Sequence, residues 1–401
     1  MPLANTTQHY GSLTKTFHWL TAALIITLIP LGIIANQLPY DTSEELARKA
    51  FLFSLHKTLG VTVFFVALAR IGWAISQPKP AELHPDRKLE TLAAQTAHWL
   101  LYGSLLLVPL SGWIHHAATT GFAPIWWPFG QNLPFVPKDN DLAHTFASLH
   151  IIFERVLAAT LLLHIAGALK HHFIDKDQTL RRMLSTPKLP ELAAHQSKAA
   201  APVLALGAWA AALAIGASIG LFAAKDTVAA VPQLQEAPSD WVIVTESSRI
   251  GIATTQFGAT VEGEFAQWTT EIKYDRDAPP EEKGSVRTTI AIPSLTLGAV
   301  TDQAMGFDYF NAPEFPTAVF EADIAEGGDS HIATGTLTIK DKTVPITMPF
   351  DLGFEGDTAF MSGTITLDRR EYGIGDNMTD EASLAFPVTV TINIEANPAE
   401  P

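Results

Sequence analysis

The stretch 149–164, LHIIFERVLAATLLLH, is the most informative segment of this 401-residue chain. It is apolar enough for a membrane-spanning helix and places His150 and His164 fourteen residues apart. Fourteen residues is just under four helical turns, so both imidazoles project from nearly one face, roughly 21 Å apart along the axis. The hydrocarbon core of a bilayer is roughly 30 Å thick, and histidine within it is rare and usually functional. The pattern predicts two stacked metal centres, most simply two b-type haems.

Working outward from this stretch, five segments are long and apolar enough to span a membrane. They are residues 16–36, 51–75, 94–117, 143–170 and 202–224. Lysine and arginine are concentrated at the N-terminus and in the second and fourth connections. The positive-inside rule therefore predicts a cytoplasmic N-terminus. With five spans in a bacterial inner membrane, everything after the last span is expected in the periplasm.

Charge and composition exclude several classes of function. Residues 1–225 carry a net charge of +5, whereas residues 226–401 carry −20. Nucleic-acid binding is not expected of such an acidic polar half, because it requires a basic surface. The chain has no cysteine, which excludes disulfides, thiolate chemistry and cysteine-ligated iron–sulfur clusters. Histidine is the one abundant soft ligand, and thirteen of the fourteen histidines precede residue 200.

The predicted topology pairs four histidines by depth. His18 begins the first span and His164 ends the fourth, so both are expected near the inner face. His56 begins the second span and His150 begins the fourth, so both are expected near the outer face. A single intramembrane histidine is as readily a satisfied polar core residue as a ligand. Four of them at two matched depths favour iron ligation by the pairs His18–His164 and His56–His150.

Two arginines are candidates for pairing with haem propionates. Arg70 lies fourteen residues after His56, on the same face but at the depth of the inner pair. A buried arginine needs an anionic partner, and a propionate accepts two parallel hydrogen bonds. Snorkelling to the inner headgroups explains Arg70 equally well. Arg155 is the corresponding candidate for the outer haem, although Glu154 beside it is an alternative partner.

Two further histidines are candidates for quinone or proton chemistry. His171 lies seven residues after His164 on the same helix face, at the predicted inner interface. A titratable group there is placed to hydrogen-bond a quinone carbonyl and pass it a proton. An interfacial histidine with no role is the plainer interpretation. His98, near the inner end of the third span, is an alternative to His18 as a ligand.

The membrane half resembles the bacterial cytochrome b-561 family of four-helix, two-haem membrane proteins. The matching elements are FHWL at 17–20, His56 with Gly60 and Arg70, LH at 149–150 and 163–164, and the stretch from His171 to Met183. The resemblance covers about residues 8–188. It implies haem b ligation by paired histidines, electron exchange with ubiquinone and, for some members, superoxide oxidation at the outer face. The fifth span departs from the four-helix pattern.

Beyond Asp240 the hydrophobic period changes from 3.6 to 2. Residues 333–340 and 359–368 alternate, turn signals separate about eight short runs, and residues 293–311 interrupt them with a partly helical pattern. These features predict an antiparallel barrel or sandwich. The stretch from Lys225 to Pro238 has the composition of a linker.

This second half, about 240–396, resembles the YceI-like family of lipocalin-like barrels that hold polyisoprenoid chains. The cues are Trp241, GEF at 263–265, FNAPEFPTAVF at 310–320, GTLTI at 335–339 and LDRREYGIG at 367–375. The resemblance implies a quinone or isoprenoid tail in the lumen. Four aromatic residues are candidates for lining it, with ordinary barrel core as the alternative for each: Phe307, Phe310, Phe315 and Phe320.

Together these observations predict a membrane all-α helical bundle, with a four-helix di-haem core and a fifth span, followed by an all-β antiparallel lipocalin-like barrel. The predicted boundaries are 1–188 for the di-haem domain, 189–238 for the fifth span and linker, and 239–401 for the barrel. The predicted function is electron exchange between two haem b groups and ubiquinone, with the bilayer and an isoprenoid lipid as partners.

Two alternatives remain open from the sequence. One is an electron-conduit subunit of a complex like hydrogenase or formate dehydrogenase, which requires a soluble redox partner. The other is a membrane-anchored isoprenoid carrier without redox activity, which leaves the four matched histidines unexplained.

Overall fold

The computed structural model describes residues 2–126, 128, 130–187, 189, 199–223, 231–234, 238–328 and 330–399. The chain forms two compact units. The first comprises residues 1–38, 51–118 and 125–224, and the second comprises residues 39–50, 119–124 and 225–401. Most of the predicted linker 225–238 lies outside the described residues, so the predicted domain boundaries stay predictions.

The helices of the chain up to residue 223 are α1 Ser12–Gln37, α2 Ser43–Ser76, α3 Lys88–Ala118, α4 Asn140–Phe173, α5 Thr179–Leu184 and α6 Ala200–Ser218. Five of these, all except α5, are long and apolar enough to cross a membrane, as the sequence predicted. The helix that carries His150 and His164 starts at a conventional cap, because the Asp139 side chain accepts a hydrogen bond from the backbone N–H of Leu142.

An apolar layer lies between the levels of the four paired histidines. Ile25 of α1, Val63 and Ala67 of α2, Leu105 of α3 and Leu157 of α4 are buried together in one cluster. On α4, Leu157 is midway between His150 and His164, and on α2 the two buried residues follow His56. The four-helix core therefore contains polar side chains at two levels with an apolar layer between them.

The fifth long helix, α6, packs against α3 and α4. The Trp209 indole lies 3.5 Å from where a Cβ at Gly103 would stand, and its ring meets Phe153 edge-on at 5.1 Å. Gly216 accommodates the side chain of Ile152, and the Ser148 hydroxyl donates to the carbonyl of Leu221. Small residues at these contacts let the helices approach closely, which is the usual basis of helix association in membranes.

The strands and short helix of the second unit are β1 Trp241–Ile243, β2 Arg249–Gln256, β3 Ala259–Phe265, β4 Trp268–Tyr274, β5 Gly284–Ala291, β6 Leu295–Thr296, α7 Thr301–Ala304, β7 Thr317–Gly327, β8 Ser330–Ile339, β9 Lys342–Glu355, β10 Thr358–Asp368 and β11 Pro387–Pro398. They pair in the order β4-β5-β7-β8-β9-β10-β11-β2-β3-β6, with β1 against β11, and every pairing is antiparallel. The predicted partly helical interruption is present as α7 and two 3-10 turns.

This sheet curls into a half-barrel around an apolar cavity of about 270 Å³. The inward-facing residues alternate with outward ones along each strand, as the period of 2 predicted.

One buried arginine is part of the cavity wall. Arg369, 3 % exposed, donates all five of its guanidinium N–H groups to the carbonyls of Ala385, Ile374, Gly375, Met378 and Leu384. The predicted fold class, a helical membrane bundle followed by a lipocalin-like all-β domain, is confirmed.

Candidate functional site

The four predicted ligands lie in two facing pairs. The imidazole centroids of His18 and His164 are 6.2 Å apart, and those of His56 and His150 are 6.5 Å apart. A metal–imidazole nitrogen bond is about 2.0–2.1 Å, so two imidazoles on opposite sides of one metal have centroids about 6.2–6.4 Å apart. The two separations, 6.2 and 6.5 Å, lie within about 0.1 Å of this range, so the geometry of both pairs fits iron ligation.

His98 does not have this separation. Its centroid is 5.3 Å from that of His164, in an edge-to-face arrangement. That distance is shorter than two imidazoles would need to hold one iron between them, whereas the 6.2 Å between His18 and His164 would fit. Between the two candidates that the sequence left open for the partner of His164, the geometry favours His18.

The His56–His150 pair is oriented by the backbones of neighbouring helices. The Nδ1 of His56 lies 3.1 Å from the carbonyl oxygen of Leu28 on α1, and the Nδ1 of His150 lies 2.8 Å from that of Val108 on α3. A carbonyl accepts only, so each Nδ1 carries the proton and each Nε2 keeps its lone pair. This is the arrangement in which metal-binding histidines are usually held.

Two glycines make these contacts possible. A Cβ at Gly32 would stand 2.8 Å from Cε1 of His56, and a Cβ at Gly112 would stand 3.0 Å from both Cε1 and Nδ1 of His150. Each glycine lies one helical turn after the carbonyl that its histidine contacts. Neither glycine was predicted from the sequence, although Pro30-Leu-Gly32 and Pro109-Leu-Ser-Gly112 are unusual patterns within apolar helices.

The two candidate propionate partners differ in their surroundings. The Arg70 guanidinium lies over the Tyr102 ring at 5.3 Å. It is also within electrostatic range of His18 and His164, so it lies near the inner histidine pair, as predicted. Arg155 is 72 % exposed, and its Nε lies 3.5 Å from the Glu154 carboxylate. The pairing with Glu154 is the alternative that the sequence left open. Propionate binding stays a prediction for both arginines.

His171 belongs to a hydrogen-bonded network at the end of α4. Its Nδ1–H donates to Oδ2 of Asp177 at 2.7 Å, and Nε2 of His84 lies 3.1 Å from the same oxygen. The two imidazole planes are parallel within 6°, with centroids 6.3 Å apart. Burial alone would raise the pKa of Asp177, but hydrogen bonds from Thr179 and His171 hold this pKa below its ordinary value. The ionised carboxylate therefore connects two groups that can each take or release a proton.

Ion pairs surround this network. Lys170 contacts Glu90 at 2.6 Å and Asp175 at 3.0 Å, and Arg87 contacts Asp175 at 3.1 Å. The hydrogen bond from Lys170 holds the pKa of Asp175 below its ordinary value. The sequence analysis missed His84 and Asp177, because His84 comes from the connection between α2 and α3 and meets His171 only in the folded chain.

A buried lysine lies beside the His56–His150 pair. Lys57 is 7 % exposed and is within electrostatic range of His56, His115 and His116. An ionisable side chain inside an apolar helix bundle is costly to bury and is usually kept for a function. Lys57 was not predicted from the sequence, since a lysine next to a predicted ligand resembles an ordinary helix-surface residue.

Two of the four candidate aromatic residues line the cavity of the half-barrel. Phe310, 7 % exposed, and Phe320 are part of its wall. The expectation for Phe307 was wrong, because its side chain is 78 % exposed in the connection after α7. Phe315 is also absent from the cavity wall, since it lies in the turn that precedes β7.

Comparisons with known proteins agree with both halves of this description. A family model described as prokaryotic cytochrome b561 matches residues 9–186, and a model of the YceI-like domain matches residues 241–396. Cytochrome b561 homolog 2 of Escherichia coli (strain K12) is 31 % identical over 189 residues, which cover 46 % of this chain and 95 % of that protein. A protein of Yersinia pestis named probable superoxide oxidase CybB is 25 % identical over 176 residues, covering 44 % of this chain and 95 % of its own length.

Among solved structures, the crystal structure of Burkholderia cenocepacia BcnA is similar to part of this chain. It is 28 % identical and aligns with 39 % of this chain and 100 % of its own, with a TM-score of 0.37. The extent of the match to the Escherichia coli protein, with the five apolar helices, shows the family of the membrane half. The chain is a multi-pass membrane protein of the haem b-binding prokaryotic cytochrome b561 family, and it carries a YceI-like domain after its membrane helices.

Proposed function

We propose that this protein holds two haem b groups in a bacterial inner membrane and transfers electrons between the periplasmic face and ubiquinone. The single observation that carries the proposal is the pair of imidazole separations, 6.2 and 6.5 Å, at two levels of one helix bundle. His18 and His164 would hold the haem nearer the cytoplasm, and His56 and His150 the one nearer the periplasm. When bound, haem b supplies reversible one-electron oxidation and reduction at its iron.

The protein's own residues support three tasks around this path. The carbonyls of Leu28 and Val108 fix the tautomer of His56 and His150. The apolar layer around Leu157 keeps water from the space between the two levels. Arg70 supplies a positive charge at the level of the His18–His164 pair, where an anionic propionate needs one.

The network of His84, His171 and Asp177 supports ubiquinone reduction at the cytoplasmic side. Reduction of a quinone to a quinol takes two electrons and two protons. His171 is placed to hydrogen-bond a quinone oxygen, and Asp177 connects it to His84 as a second proton carrier. This network would supply the protons that must accompany the electrons onto the quinone.

Superoxide is the electron donor that we propose at the periplasmic face. Two superoxide anions would lose one electron each, giving two molecules of dioxygen, and one ubiquinone with two protons would become ubiquinol. Lys57 supports an anionic donor, because its buried amine lies within electrostatic range of His56 and would attract an anion when it is protonated. The relative named probable superoxide oxidase is similar to this chain over the membrane half.

Haem counting on single-histidine variants of the full chain tests this assignment. The detergent-purified protein is expected to contain two low-spin b haems by its reduced-minus-oxidised spectrum and a pyridine haemochrome assay. His56→Ala and His150→Ala should each lose the same one haem, and His18→Ala and His164→Ala the other. His172→Ala serves as a matched control outside both pairs. A His150→Ala protein that keeps two haems would exclude the pairing.

We also propose that the half-barrel holds the isoprenoid tail of a lipid. Its cavity of about 270 Å³ is lined almost entirely by apolar side chains, as a hydrocarbon tail requires. Mass spectrometry of an organic extract of the purified chain is expected to find a prenylated lipid. A cavity-filling variant, Ala318→Leu, should carry less of it. An extract without any isoprenoid would contradict this part of the proposal.

A further inference from the structure

One end of the half-barrel cavity contains polar side chains that have no partner. Within the described residues, the buried atoms Oγ1 of Thr254, Oε1 of Gln256 and the hydroxyl of Tyr372 lack a hydrogen bond, and all three residues line the cavity. Gln256 is 4 % exposed and Tyr372 is 1 % exposed. A buried polar atom without a partner is costly, so proteins rarely keep one unless something else satisfies it.

Several other polar side chains of the cavity wall already have hydrogen-bond partners. The hydroxyls of Thr270 and Thr288 bind each other at 2.8 Å. Gln303 donates to the Tyr309 hydroxyl at 2.7 Å, and the Tyr274 hydroxyl lies 3.0 Å from Nε2 of His331. The three unpartnered groups are thus exceptions among the described lining residues.

These groups lie at the same end of the cavity. Thr254 and Gln256 end β2, and Tyr372 belongs to the 3-10 turn after β10. Both strand ends flank the beginning of β11, where Leu367 pairs with Val388 and Ala253 pairs with Thr389. The opposite end of β11 carries Ala396, which is eight residues and about 26 Å further along the strand.

The described residues of the cavity wall offer no available cationic donor for a phosphorylated head group, and Lys340, which donates to the Gly373 carbonyl beside Tyr372, is not part of that wall. Arg369 is the one charged side chain among the described residues that line the cavity. Its five N–H groups are all committed to backbone carbonyls, so it has none left for a phosphate. Polyanion binding depends on available cationic donors. Burial raises the pKa of Tyr372 to about 12, so its hydroxyl keeps its proton at neutral pH.

We infer that Thr254, Gln256 and Tyr372 form a binding site for a neutral, oxygen-bearing head group, so that the half-barrel selects a prenylated quinone, quinol or phenol over a prenyl phosphate. The two hydroxyls can donate or accept, and the amide offers a donor or an acceptor according to its orientation. Such a set serves the carbonyl oxygens of a quinone and the hydroxyl groups of a quinol alike. This inference rests on the proposed isoprenoid binding and adds the chemical class of the head group.

Two ligands with the same tail and different heads provide the test. The probes are a ubiquinone with a two-unit isoprenoid tail and geranyl diphosphate, each added to the full chain in detergent and counted by native mass spectrometry. The quinone is expected to bind the half-barrel more tightly than the diphosphate. Tyr372→Phe should weaken quinone binding about three- to tenfold, since it removes one hydrogen bond to the head. Folding of this variant should be unaffected, because the hydroxyl has no partner to lose.

Tyr40→Phe is the matched control, because it makes the same change at a tyrosine that is 43 % exposed and does not line the cavity. It should leave the affinity for the quinone unchanged. Diphosphate binding as tight as quinone binding, or equal effects of the two tyrosine variants, would overturn the head-group inference while isoprenoid binding stands. Failure of both probes to bind at the half-barrel would refute the isoprenoid proposal as well.

Discussion

Replacing Gly112 by alanine tests whether backbone contacts orient a haem ligand. The new Cβ would stand 3.0 Å from Nδ1 and Cε1 of His150, whereas ordinary contacts between carbon atoms are about 3.5–4.0 Å. The imidazole must therefore retreat by about 0.5–1 Å. The distance from its Nδ1 to the Val108 carbonyl, now 2.8 Å, would then exceed the range of about 2.7–3.2 Å for such hydrogen bonds.

The expected result is selective loss of one haem. Removing the group that orients a metal-binding histidine typically costs about 10–100-fold in metal affinity. Gly112→Ala should thus lower the haem content after purification from two toward one per chain. The spectrum of the remaining haem should match that of the His150→Ala variant. Gly32→Ala should do the same, because its Cβ would stand 2.8 Å from Cε1 of His56.

The control is Gly207→Ala on α6, where nothing lies within 4 Å of the new Cβ. Alanine favours a helix over glycine by about 1 kcal/mol, so this variant should be at least as stable as the parent and keep both haems. If Gly112→Ala also keeps two haems with unchanged spectra, the reasoning from the glycine–carbonyl contacts is refuted.

Four other predictions address the redox path and the half-barrel. In a redox titration, the haem of the His56–His150 pair should have a lower midpoint potential than the haem of the His18–His164 pair. The reason is that donation by Nδ1–H to a carbonyl makes an imidazole a stronger ligand. Asp177→Asn should slow ubiquinone reduction at least about tenfold with two haems retained, while His172→Gln leaves the rate unchanged. Arg369→Lys has three donors for five carbonyls and should destabilise the half-barrel by about 2–6 kcal/mol, measured by thermal unfolding. Burial lowers the pKa of His331 below 6.5, so the unfolded state binds the extra proton and half-barrel stability should fall as pH drops below about 6.5. Hydrogen exchange in β8 measures this loss, and His331→Gln should remove it.

Residue chemistry and periodicity were sufficient to predict the fold and to predict which histidines face each other in pairs. A histidine in an apolar helix stands out against its neighbours, and a spacing of fourteen residues converts directly into depth. The change of period beyond Asp240 likewise separates the helical half from the strands. Both signals are local in the sequence, so they were visible before the chain was folded. The aromatic residues of 307–320 show where prediction from periodicity fails. Their segment is irregular, so no repeat in the sequence distinguishes buried from exposed positions, and Phe307 is exposed.

The residues that orient the ligands were not predictable in the same way. Gly32 and Gly112 leave space for an imidazole from another helix to reach a backbone carbonyl. Because glycine has no side chain, nothing in its chemistry marks it as part of a site. His84 and Asp177 acquire a role only because a connection and a helix end meet in space. In each case the relevant partner is distant in sequence, so its identity depends on helix packing that periodicity does not specify. Candidate ligands for such a centre can therefore be predicted from one sequence, whereas the contacts that position them require the folded chain.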